Sequence, residues 1–414
     1  MDEVYRNAFL TIVACAGGDP NYGLPGVSKL RNSKPCVRID GIGCLQALPQ
    51  SMDIHSSIWA TRAWTYQEAL LSQRQLYFTD NDTYFGSVEG LQRKTGGASK
   101  GSLEHYLPTY SRLGYSDGSY RVRDSKYSLE SLQIWECINE YSTRTLSYQT
   151  DILNALLGIL AFYRQERGIS HLWGLPFSTF VLEPLQSKVS TLDMSLRWFT
   201  IGHSPRREGF PSWSWTGWNS EIQYIGKDFG SESSMATTKE NVIEIKIELV
   251  SGRLLDWSDY QDDYPNLQDY SQTHSPHGDS DRPSRFIHVE ACTSQVVEKN
   301  LSSSGVHYYS IESLITTDEL VYFSSVESLD FGNDDTAFKE LFSVGSLLAL
   351  HFLRVDSTRT SASVQNQRYS FWSDGCALLV RNFGDHWERV CLLGSEKSLK
   401  RESVHKVRRK IRLG

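Results

Sequence analysis

The spacing of apolar positions changes character along the chain. Over residues 1–80 the apolar runs are short. Glu3–Ala8 reads as the end of a helix and Leu10–Cys15 as a β-branched strand. Gly17–Gly26 reads as a turn-rich loop punctuated by Pro25 and Gly26, Ile58–Leu71 as a helix, and Gln75–Phe78 as a short strand. That order, helix, strand, loop, helix, strand, is the pattern of a sheet with parallel pairing.

The Ile58–Leu71 pattern carries unusual side chains. On a helical wheel Trp59, Ala63, Tyr66 and Leu70 fall on one stripe, and Trp64 and Leu71 widen it. Arg62 lies at one edge of the stripe and Glu68 at the other. A guanidinium and a carboxylate flanking an aromatic face suit either a structural brace or the wall of a ligand pocket. Edge charges on amphipathic helices are more often solvated or paired.

Residues 81–128 are rich in Gly, Ser and Tyr and read as an irregular loop region. Residues 129–220 read as a helical region. Leu129–Ser142 repeats at helical spacing, and Thr150–Arg167 does so more strongly, with Asp151 as N-cap and a stripe of Ile152, Leu156, Ile159, Leu160 and Tyr163. Leu192–Thr200 is a third helix candidate. The region ends in Phe210–Trp218, FPSWSWTGW, where strict alternation predicts a strand with Trp213 and Trp215 on one face and small hydroxyls on the other. Residues 221–396 read as β-rich, with alternating runs at Val242–Val250, Phe286–Ala291, Leu320–Phe323, Leu347–Val355, Gln367–Val380 and Glu388–Leu393. An acidic, Ser/Pro-laced insertion over 256–284 predicts disorder. Residues 397–414 form a basic tail, readable as a solvated helix end or as a nuclear-localisation signal.

The aromatic run resembles a known signature. SIWATRAWTYQEALLS is similar to the W-x-x-R-x-W-T-x-Q-E-x-L-L-S motif of fungal heterokaryon-incompatibility (HET) domains, which matches Trp59, Arg62, Trp64, Gln67 and Glu68. Three further segments resemble the family in its own order: VYRNAFLTIVACAGGDPNYGLPGV from Val4, LSYQTDILNALLGI from Leu146, and FPSWSWTGW, which includes Trp218. The strand motifs Y-x-x-L-S-Y-x-W-G and W-I-D-x-L-C-I-D-Q that open the family's domain do not occur. The resemblance therefore implies an α+β protein with three parts. They are a truncated α/β remnant, similar to Toll/interleukin-receptor (TIR) domains, over residues 1–80, a helical middle, and a β-rich second half. It also implies exposed apolar sheet edges.

The same resemblance implies a role in fungal nonself recognition and programmed cell death, as an effector or interaction module with a protein partner or with itself. Some TIR domains cleave NAD with one glutamate, and by motif position Glu68 would be the catalytic residue. This alternative is the one case in which NAD would bind, and the missing strands argue against activity. An inert truncated paralogue is the third alternative.

Composition narrows the classes. Aromatic residues make up 12% of the 414, with 11 Trp and 21 Tyr, so many polar aromatic tips need partners. The net charge of −7 gives no general attraction to nucleic acid. Seven widely spaced cysteines with no C-x-x-C pair suggest reduced thiols and a cytoplasmic setting, and no apolar run is long enough to span a bilayer. There is no phosphate-binding loop, no dinucleotide fingerprint, no H-E-x-x-H and no Cys/His cluster, so neither cofactor nor metal is expected. GASKG at Gly97–Gly101 has the G-x-S-x-G spacing without the strand and helix that a nucleophile elbow requires.

Overall fold

A computed structural model describes residues 2–31, 36–40, 42–45, 52–87, 90–93, 126–177, 179–182, 187–190, 192–201, 204–224, 244–257, 282–299, 308–311, 347–352, 376–394 and 407–414. The GASKG run, the Leu320–Phe323 strand candidate and most of the acidic insertion lie outside them. The chain is α+β. In order, it forms α1 (Asp2–Asn7), β1 (Thr11–Ala14), β2 (Cys36–Ile39), β3 (Ile42–Leu45), α2 (Met52–His55), α3 (Ile58–Thr61), α4 (Trp64–Leu71), β4 (Arg74–Phe78), β5 (Thr83–Ser87) and β6 (Gly90–Arg93). Next come α5 (Lys126–Ser142), α6 (Leu157–Arg167), β7 (Ser170–Leu172), β8 (Leu175–Phe177), β9 (Thr179–Leu182), β10 (Ser187–Ser190), α7 (Leu192–Ser195), β11 (Trp198–Ile201) and β12 (Glu221–Tyr224). The remainder is β13 (Glu244–Leu249), β14 (Leu254–Asp256), β15 (Pro283–Lys299), β16 (Tyr308–Ile311), β17 (Leu347–Phe352), β18 (Cys376–Asn382), β19 (Trp387–Gly394) and β20 (Val407–Leu413).

These elements make two units. The first comprises Met1–Arg123 and Thr143–Arg167, the second Asp124–Ser142 and Gly168–Gly414. The division departs from the expected boundaries at 80, 128 and 220, because segment 143–167 packs on the first unit and α5 on the second.

The first unit holds a sheet ordered β1-β4-β5-β6. β1 and β4 are parallel, with Ile12 opposite Leu76, and the other pairs are antiparallel. The connection from β1 to β4 runs through α2, α3 and α4, as a parallel pair requires. Val13, Cys15, Ile54, Tyr77 and Tyr84 form a buried cluster against which Trp59 packs. Burial dominates the Cys15 thiol and pushes it up to about 12, against a hydrogen bond with Ser57, so it is not a nucleophile near neutrality.

The second unit is mostly β. The expected helical middle stops at Arg167, and β7 to β12 follow as hairpins around the single-turn α7. Of the Leu192–Thr200 helix candidate only Leu192–Ser195 is helical. Trp198–Ile201 is a strand paired with β12. The strands expected beyond residue 241 that fall on described residues all form. β15 carries β13 and then β17 on one edge and β20 on the other, and β17-β18-β19-β20 returns to it, closing a ring. Ile287, Val289, Ala291, Ile411 and Leu413 face its core.

Residues 407–413 correct the reading of a basic tail. β20 pairs with β15 from Val407 to Leu413, and its cations are used on the sheet face. Arg412 makes a bidentate contact with Glu248 at 2.6 and 2.8 Å, and Arg408 reaches Glu290 at 2.7 Å and Glu244 at 2.9 Å.

Candidate functional site

The signature run folds as two helices, not one. Ser57 caps α3 by accepting from Ala60 N at 3.2 Å. Arg62 is extended, at φ −83° and ψ 140°, and α4 starts two residues later. The break is where another strand of chain enters. Thr145 bridges Arg62 in parallel, donates its N–H to Thr61 O at 2.7 Å and accepts from Ala63 N at 2.9 Å. The Thr65 hydroxyl then donates back to Arg62 O at 2.8 Å.

The segment after Thr145 follows α4 along its length. Arg144 lies over the Tyr66 ring, 4.5 Å from its centroid, and donates to Arg62 O at 3.4 Å. Trp64 Nε1 donates to Asp151 Oδ2 at 3.3 Å. Asp151 therefore sits in a 3-10 turn as an acceptor for the indole and for Asn154, not as the expected N-cap of a long helix. One turn on, Gly158 of α6 lies so close to α4 that a Cβ there would meet Gln67 Oε1 and Asp2 Cβ at 2.7 Å each. The run around Trp64 and the segment around Asp151 thus form one packed assembly.

The candidate site residues take different positions on it. Gln67 is buried, Trp59 and Trp64 are half-buried, and the Arg62 side chain is exposed. Trp59 meets Tyr77 edge-on, 5.8 Å between ring centroids. The Glu68 carboxylate is half-buried and takes a hydrogen bond from the Tyr5 hydroxyl of α1. Burial, the Glu68 charge and that hydrogen bond together push Tyr5 up to about 12. α1 is held further by Arg6, which reaches Gln165 at 2.8 Å and Glu166 at 3.3 Å on α6. The Tyr5–Glu68 hydrogen bond joins α1 to α4.

Trp213, Trp215 and Trp218 belong to the second unit, and the PSWSWTGW run is not a strand. Ser214 accepts from Thr216 N at 3.3 Å, and Trp215–Gly217 closes a 3-10 turn. Ser212, Trp213, Ser214, Trp215 and Thr216 are all fully buried, so alternation has no outer face to report. Each indole donates to a backbone carbonyl: Trp213 to Arg285 at 3.0 Å, Trp215 to Gly174 at 2.8 Å and Trp218 to Ser212 at 2.8 Å. Ser214 and Thr216 donate to Trp173 O at 2.6 and 3.0 Å. Gly217 is obligatory, since a Cβ would lie 2.3 Å from Pro211 O.

Two arginines absent from the candidate set complete this knot. Arg207 is buried and donates to Thr216 O at 3.3 Å, to Trp218 O and to Asn219 Oδ1 at 2.8 Å. Burial lowers it to about 10. Arg389 is buried over the Trp198 ring, 3.5 Å from its centroid, and donates to Leu196 O at 2.9 Å. The sequence signal for both was their place in an aromatic-rich protein, since buried guanidinium groups settle on indole faces and carbonyls.

Among the described residues no group of three or more His, Cys, Asp or Glu side chains could hold a metal ion. Among them, too, no helix is long and apolar enough to cross a membrane.

The family model described as Heterokaryon incompatibility protein (HET) matches residues 1–68. Over that segment, from α1 into α4, the chain is similar to the HET family. No curated protein and no solved structure matches the chain.

Proposed function

We propose that this is a heterokaryon-incompatibility-type protein of fungal nonself recognition and programmed cell death, acting in the cytoplasm as an effector or interaction module. The observation that carries the reading is the match of residues 1–68 to the HET family, together with the packing of segment 143–167 on that sequence as a single unit. The function follows from a protein contact, with a partner or with a second copy, and needs no cofactor. The NAD-cleaving alternative draws no support from Glu68, whose carboxylate is engaged by Tyr5.

The experiment is controlled expression of the chain in a filamentous fungal host, scored for growth arrest. The expected result is arrest that Asp151→Ala relieves at equal protein level, because that change uncouples the docked segment from Trp64. Normal growth at high expression would overturn the reading. Purified protein is expected to release no nicotinamide from NAD. Turnover abolished by Glu68→Gln would reinstate the enzymatic alternative.

A further inference from the structure

Between α5 and the 3-10 turn at Gln149–Asp151 the chain forms a strap with no helix and no strand beyond the single bridge at Thr145. It is docked at one end by the Thr145 pairs with Thr61 and Ala63, and at the other by Asp151 on Trp64. Ser147 lies between these anchors. It is exposed, and its hydroxyl makes no hydrogen bond among the described residues. Arg144 stands three residues before it, in the run R-T-L-S. Among the described residues the same arginine spacing also leads to Thr65, Ser170 and Thr200. Thr65 and Ser170 are buried, however, and Thr200 is paired within β11. The signature arginine is the second loose end. The Arg62 side chain is exposed, and its guanidinium makes no hydrogen bond or ion pair among the described residues. Arg62 is the bridge partner of Thr145, two residues before Ser147.

We propose that Ser147 is a phosphorylation site for a basophilic protein kinase, and that Arg62 clasps its phosphate and locks the strap onto the break between α3 and α4. Such a kinase takes its substrate extended and reads a guanidinium three residues before the acceptor with its own carboxylates. An exposed segment outside helix and sheet offers that conformation at little cost. Arg144 is half-buried over Tyr66, so the kinase captures it when the strap opens locally. In the transfer, Ser147 Oγ bonds to the γ-phosphorus of a nucleoside triphosphate and the bond to the departing nucleoside diphosphate breaks. The hydroxyl proton passes to the kinase's catalytic base. The product carries a charge of about −1.5 to −2 at neutral pH. Ser147 lies about 6–7 Å along the strap from the residue that bridges Arg62, a span a long arginine side chain covers. The exposed guanidinium gives up no partner among the described residues to pair with the phosphate, and it offers a bidentate fork. Arg144 adds a second positive charge on the strap itself. The opposing charge is Asp151, four residues on, which Trp64 holds by its hydrogen bond at 3.3 Å. Two guanidinium groups against one engaged carboxylate favour the clasp. The inference deepens the interaction-module reading by naming its regulation, and rests on that reading for its biological meaning.

The test incubates the full 414-residue chain with the catalytic subunit of a basophilic serine/threonine kinase, ATP and Mg²⁺, and maps phosphate by fragment-ion mass spectrometry. The expected product carries phosphate on Ser147, and Ser147→Ala loses it. Arg144→Ala is expected to slow the modification at least about tenfold, although it also loosens the strap. A rate unchanged or raised in that variant overturns recognition of the run, as does phosphate on Thr145, Tyr148 or Thr150 in place of Ser147. Amide exchange then reads the clasp. The N–H groups of Ala63 and Thr145 close the strap onto the helix break. Both are expected to exchange at least about tenfold more slowly in the phosphorylated chain, with the amides of α6 unchanged. Arg62→Ala is expected to take up phosphate as before and to show no slowing. Unchanged or faster exchange on phosphorylation, or slowing that survives Arg62→Ala, overturns the clasp. These measurements use purified protein. A chain that shows them and causes no growth arrest supports the site and removes the family-level reading.

Discussion

The indole N–H of Trp64 donates to the carboxylate of Asp151 at 3.3 Å, across 87 positions of sequence. It ties the aromatic signature to the D-x-L-N-A segment. Asp151→Ala is expected to destabilise the first unit by about 1–3 kcal/mol, the cost of leaving a part-buried donor unpartnered. Trp64→Phe removes the donor instead. A double-mutant cycle in urea should return a coupling of about 0.5–1.5 kcal/mol, and strict additivity would show that the contact does not stabilise the fold.

Gly158 provides a test of sign. In an exposed helix, Gly→Ala stabilises by about 1 kcal/mol. Here the added methyl would lie 2.7 Å from both Gln67 Oε1 and Asp2 Cβ. Gly158→Ala is therefore expected to destabilise by about 1–3 kcal/mol through overpacking of α6 against α4 and α1. Gly18→Ala is the control, because its nearest neighbour, Ile58 Cδ1, is 3.6 Å away. Thermal melts of both variants decide the matter.

Trp213→Ala and Trp215→Ala are each expected to cost about 3–5 kcal/mol, since both side chains are fully buried. Each change also strands a carbonyl, at Arg285 or Gly174. Trp218→Ala, at a half-buried site, should cost less. Equal losses at all three positions, measured by denaturant unfolding, would contradict this ranking.

The response to pH has opposite signs in the two units. In the second, the hydrogen bond from Arg412 holds Glu248 below the usual carboxylate range of 4.5. Its contribution is present above that value and is lost as pH falls through the lower folded value. Glu248→Gln should flatten acid unfolding below pH 4.5. In the first unit, Tyr5 is raised from 10.0 to about 12. The folded state keeps the phenolic proton that the unfolded chain releases, so stability declines as pH rises from 10.0 to about 12. Tyr5→Phe should remove that alkaline decline.

Much of the chain was legible because local pattern and tertiary placement agree. The stripe Ile152, Leu156, Ile159, Leu160 and Tyr163 is buried throughout, and the alternating runs near Ile245, Ile287 and Leu378 are strands. Three features were hidden for separate physical reasons. Helical spacing continues through Ile58–Leu71, yet Thr145, far along the chain, takes the backbone groups of Thr61 and Ala63 and breaks the helix. Alternation in Ser212–Thr216 suggested a strand, but Ser214 folds the chain onto itself and both sets of side chains are buried. The basic run near the end looked like a tail by charge alone. Its better signal was the alternation of Arg408, Lys410 and Arg412 with the inward Ile411 and Leu413.

The interleaving of the two units constrains how such a protein can be inherited. Residues 124–142 belong to the second unit, yet 143–167 return to complete the first. No single cut in the gene separates them. A recombination event that moved only the family-matched residues 1–68 would leave Trp64 without Asp151, and α4 without Gly158 against it. The two units should therefore spread through genomes as one indivisible block.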